Sequence, residues 1–98
     1  MSFEEFQQSV ARDAQPPSVS PALQALWHDA RGAWDAAHTA AQNEKGRDGS
    51  WVHAYLHRKE GDVGNASYWY ARAGKKLPAA DVTLESEWAA IARELLAS

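Results

Sequence analysis

From Ala54 to Gly74 the chain reads Ala54-Tyr-Leu-His57-Arg-Lys-Glu-Gly61-Asp-Val-Gly-Asn65-Ala66-Ser-Tyr-Trp69-Tyr70-Ala-Arg72-Ala73-Gly74. This pattern restricts the fold more than any other in the sequence. Gly61 and Gly74 stand where two short helices would end, because glycine enters the left-handed conformation of a helix C-terminus without steric cost. Ala66 and Ala73 flank Tyr70 at helical spacing, so small side chains on one face allow a close approach to the preceding helix. The expectation is an αα-hairpin.

Composition extends this to the whole chain. Alanine fills 20 of the 98 positions, whereas valine, isoleucine and threonine together fill eight. Alanine favours helix and β-branched residues favour strand, so an all-α fold is expected, a compact bundle of four to five helices around the central hairpin. A chain of 98 residues makes one domain, and five tryptophans help a core of that size to bury enough apolar area.

The helices can be placed by caps and stripes. Ser2 and Glu5 form a capping box before an N-terminal helix at about Phe3 to Arg12, within residues 1–15. Its apolar stripe of Phe3, Phe6 and Val10 is narrow, so a loose attachment is expected. The prolines at 16, 17 and 21 separate it from a core over residues 21–97. Ser20-Pro21 is a strong helix start. The second helix is expected to run without interruption from Pro21 to about Glu44, with Leu23, Trp27, Ala30, Trp34, Ala37, His38 and Ala41 on its stripe. Lys45 to Gly49 reads as a polar turn, with Ser50 capping a third helix that ends near Gly61. Asp62 opens a fourth, ending at Gly74. Leu84, Trp88, Ile91 and Leu95 mark the last helix.

Residues 53–74 resemble one unit of the tetratricopeptide and Sel1-like repeat families. The resemblance rests on Ala54, the Gly61-Asp62 turn, and Ala66, Tyr70 and Ala73, with the Trp69-Tyr70 pair closest to the Sel1-like pattern. It covers about a fifth of the chain and a single unit, while arrays need several stacked units. In such a unit the positions of His53 and His57 face the second helix, so the resemblance implies that both imidazoles point inward. The stretch from His53 to Asp62 is also similar to that of small bacterial helical proteins that carry a tryptophan- and histidine-bearing helix ahead of the hairpin. That likeness implies no activity.

His53 and His57 are four residues apart and share a helix face, a spacing at which two imidazoles chelate one metal ion. His38, on the apolar side of the second helix, is the candidate third ligand, with Asp35, Gln42, Glu60 or Asp62 as oxygen donors. Such a set suits zinc or another transition metal, although no cofactor is required by the sequence. The alternative is a core cluster in which the imidazoles bond Asn65, Tyr68, Tyr70 or a carbonyl. His28 reads as a solvated flank residue.

Tyr68, Trp69 and Arg72 form a candidate interaction surface, since consecutive helical aromatics cannot all face one core. A protein partner or self-association is the expected use. Arg58, Lys59, Arg72, Lys75 and Lys76 could gather as a basic patch, but a net charge of −3 argues against nucleic acid. There is no cysteine, hence no disulfide or thiolate. No apolar run or leader pattern points to a membrane or to secretion, so the chain is expected in the cytoplasm. Ser50 is explained as a cap, and Glu4-Glu5 and Glu85-Glu87 as acids at helix N-termini. Catalysis is therefore not expected, and a non-catalytic interaction or scaffold module is the leading function. A metal- or small-ligand-binding protein using His38, His53 and His57 is the alternative.

Overall fold

A computed structural model describes residues 1–98. Six helices follow in order: α1 Phe3–Arg12, α2 Pro21–Ala30, α3 Trp34–Asn43, α4 Arg47–Glu60, α5 Val63–Ala73 and α6 Leu84–Ala97. There is no strand, and no helix is long and apolar enough to cross a membrane.

The capping signals at Ser2, Ser20, Gly61 and Gly74 act as read. Ser2 accepts from the Glu5 amide while Glu5 bonds back to the Ser2 amide, and Ser20 accepts from the Leu23 amide ahead of Pro21. Gly61 and Gly74 take left-handed φ values of 90° and 71° at the ends of α4 and α5. The two helices pack on one another more extensively than any other pair. Ala54, Ala66 and Tyr70 form the buried seam between them.

Two expectations are corrected. The helix from Pro21 to Glu44 is two helices, broken at Arg31–Ala33 by Gly32, whose φ is 74°. The Ala33 and Gly32 amides close back onto the His28 and Asp29 carbonyls at 2.9 Å, a glycine-centred C-terminal cap. The apolar stripe continues in phase across this cap and conceals it in the sequence. Ala30, assigned to that stripe, is exposed. Ser50 is not the cap of α4, which begins a turn earlier. Gly46, at φ 101°, is the N-cap residue, and the Ser50 amide already bonds the Gly46 carbonyl.

The main core gathers side chains from α1, α2, α3, α4 and α6. α1 docks on it through Phe6, which has no exposed surface and stacks on Trp88 at 5.8 Å. Ser9 is buried and accepts from the Trp27 indole at 3.1 Å. The Trp88 indole donates to the Leu26 carbonyl at 2.9 Å.

Candidate metal centre

The break at Gly32 turns α3 back against α2 and sets it beside α4. His38, on α3, thereby meets His53 and His57 on α4. The Nε2 atoms of His38 and His53 are 3.1 Å apart, and one ring nitrogen of each of the three histidines lies within 4.8 Å of the others. The His53 and His57 rings are stacked at 4.8 Å, one helical turn apart. The His38 ring stands edge-on to both.

Aromatic side chains wall the cluster. Trp69, from α5, lies against the His53 ring with centroids 4.1 Å apart. Trp34, one turn before His38, stacks on it at 6.0 Å. A cleft of about 420 Å³ bordered by Gln42, Ser50, His53, Trp69 and Arg72 opens beside the cluster.

His53 is 7% exposed. Burial first, and the neighbouring His38 and His57 second, push its pKa down to about 4. It is therefore neutral at pH 7 with a lone pair available. His57 is held differently, its Nδ1 lying 3.1 Å from Glu60 Oε1. A carboxylate on one imidazole nitrogen fixes the tautomer and raises the basicity of the other, the arrangement common behind metal-bound histidines.

The geometry can be compared with a real site. Zinc holds imidazole nitrogens at about 2.0–2.1 Å in a tetrahedron, which places ligand nitrogens about 3.3 Å apart. The His38–His53 spacing is already near that value. No buried side-chain nitrogen or oxygen lacks a hydrogen-bond partner, so the scaffold closes around the histidines by itself. A neutral His38–His53 pair satisfies this when one Nε2 carries the proton and the other accepts.

Of the suggested oxygen donors, Glu60 is engaged with His57. Asp62 is grouped with His57 and Glu60, but it also caps α5 by accepting from the Asn65 amide at 3.2 Å and side chain at 2.7 Å. The Asn65 side-chain bond, followed by the Asn65 backbone bond, holds its carboxyl below the usual range. Asp35 borders another groove, with His28 and Thr39. The three side chains named as partners for a purely structural cluster bond elsewhere, and the imidazoles bond one another and Glu60 instead. Asn65 bonds Asp62, the Tyr68 hydroxyl accepts from Arg72 at 3.2 Å, and the Tyr70 hydroxyl donates to Glu87.

The candidate interaction residues divide. Tyr68 is 54% exposed, and the Arg72 guanidinium lies over both the Tyr68 and Trp69 rings. Trp69 is half-buried against His53. Three of the five basic residues suggested for a patch are neutralised by carboxylates. Arg58 pairs with Glu87 at 2.8 Å, Lys59 with Asp29 at 2.8 Å and Lys75 with Glu94 at 2.8 Å.

Two buried polar networks escaped the sequence reading. Asp29 accepts from Lys59 and from the Tyr55 hydroxyl at 3.0 Å. Glu87, taken for a helix-terminal acid, is buried and joins Arg58 to Tyr70. Burial, reinforced by these carboxylates, pushes both tyrosine hydroxyls well above their ordinary range. A signal was present. Glu87 is three residues after Leu84 and four before Ile91, and Asp29 is three after Leu26 and four after Ala25. Both acids thus lie on apolar faces.

Comparison with protein families, with curated proteins and with solved structures finds no match to this chain.

Proposed function

We propose that this protein binds a transition-metal ion, zinc in the first instance, through His38, His53 and His57. The observation that carries this reading is the convergence of three imidazoles from two helices, two of them with Nε2 atoms 3.1 Å apart. Three histidines leave a fourth position for water or a ligand, unlike a closed structural site. The low proton affinity of His53 lessens competition between metal and proton at neutral pH, and the Glu60 contact orients the His57 ring.

Elemental analysis tests the reading, on untagged protein purified without chelator and again after zinc addition. The expected result is one metal per chain, lost in a His53→Ala, His57→Ala double variant that retains its helical circular-dichroism spectrum. A protein that stays metal-free when offered zinc, nickel and iron overturns it.

A second reading, a non-catalytic protein-interaction or self-associating module, rests on the exposed Tyr68–Arg72 pair and on the resemblance of the hairpin to a repeat unit. It predicts that Tyr68→Ala and Arg72→Ala abolish association while leaving metal content unchanged.

A further inference from the structure

A second concave site lies away from the histidines. A cleft of about 400 Å³ opens where α1, α2, α4 and α6 meet. Val10, Tyr55, Leu84 and Trp88 supply apolar and aromatic walls, and Asp29, Lys59, Gln7 and Glu85 supply the polar groups. This combination of mostly apolar walls with a few convergent polar groups is typical of small-molecule sites, and the volume is toward the lower end of their range.

The charges decide which molecule fits. Lys59 and the buried Asp29 neutralise one another at 2.8 Å, and the second Asp29 oxygen is taken by Tyr55. Glu85 forms no ion pair and its side chain makes no hydrogen bond, and neither does that of Gln7 (every other charge on the cleft wall is matched). Glu85 and Trp88 are three residues apart and share a face of α6. The cleft therefore presents one unmatched negative charge beside an aromatic ring. A cation there gains from the carboxylate, while Trp88, stacked on Phe6 on one side, adds apolar wall. An anion would meet Glu85 repulsion and an ammonium already engaged.

The geometry points to this cleft as a binding site for a small primary ammonium ion with an aromatic or apolar body. The ammonium lies between Glu85 and the Gln7 side-chain amide oxygen, and the body lies against Val10, Leu84 and Trp88. The site shares no residue with the histidine cluster and stands or falls separately from it.

The test is a titration of the full chain with 2-phenylethylamine, 3-phenylpropionate and 2-phenylethanol at pH 7, followed by the Trp88 indole N–H and the Ala30 and Lys59 amides in nitrogen–proton correlation spectra. The amine is expected to give saturable shifts at these three positions. Glu85→Gln, which removes no tertiary contact, is expected to weaken its binding about tenfold, the scale of one charge-assisted hydrogen bond. Lys59→Met frees an Asp29 oxygen for the ligand and is expected to tighten amine binding. Tighter binding of the carboxylate than of the amine overturns the proposal. So does unchanged amine affinity in Glu85→Gln, or no saturable shift with any of the three compounds at millimolar concentration.

Discussion

The indole of Trp69 lies against the imidazole of His53, with centroids 4.1 Å apart and planes 23° from parallel. This contact joins the two helices of the hairpin and covers a face of the His53 ring. It keeps a titratable group neutral inside a folded chain, so protonation is coupled to stability.

That coupling has a definite sign. The ordinary pKa of 6.5 falls to about 4 on folding, so the unfolded chain binds the His53 proton more readily. The stabilising effect is complete above pH 6.5, declines as pH falls toward 4, and is gone below. The full loss is on the order of 3 kcal/mol. Urea denaturation of the metal-free protein between pH 7.5 and 4 is expected to show this fall, and His53→Leu to flatten it. An equally steep slope in the variant would exclude His53 as its source.

Metal binding is expected to stabilise without being needed for folding, because the metal-free cluster has no unsatisfied buried polar atom. Zinc held free at a hundred times its dissociation constant adds about 2.7 kcal/mol. Differential scanning calorimetry should record a higher Tm with zinc and its return with chelator, with the far-ultraviolet spectrum unchanged. Unfolding on chelation would contradict this account.

Two glutamates two residues apart on α6 should respond very unequally. Glu87→Ala leaves the buried Tyr70 hydroxyl without its acceptor and the half-buried Arg58 with only the Val82 carbonyl, at a cost of about 3 kcal/mol. Glu85→Gln touches no tertiary partner and should stay within about 0.5 kcal/mol of the parent. Chemical denaturation of the two variants side by side measures the contrast.

The same substitution at two glycines should differ in sign. A Cβ on Gly49 would stand 2.1 Å from the Glu44 carbonyl oxygen, so Gly49→Ala forces the α3–α4 connection to move and lowers Tm. At Gly64, in the first turn of α5, the nearest atom is an Asp62 carboxylate oxygen at 3.9 Å. Gly64→Ala is expected to raise stability by up to about 1 kcal/mol through the lost freedom of the unfolded chain. Thermal melts of both variants decide the matter.

Much of the local structure is written locally. Ser2 with Glu5, Ser20 with Pro21, and the left-handed Gly61 and Gly74 act through neighbours three or four residues away, so caps and the hairpin were legible in the order of residues. Gly32 and the Gly46 cap of α4 were the exceptions: a stripe running in phase through Trp27 and Trp34 outweighed the one glycine, and Ser50 was read in place of the other. The pairing of His53 with His57 was legible too, as both stand on one helix. The meeting of His38 with His53 was not. It depends on α3 folding back at Gly32, and the angle of that return is set by packing among α2, α3 and α4 rather than by any spacing within a helix. The burial of Glu87 and Asp29 is of the same kind. A carboxylate on an apolar face survives only where Arg58 and Tyr70, or Lys59 and Tyr55, arrive from another helix to replace its water, and that arrival belongs to the tertiary structure alone.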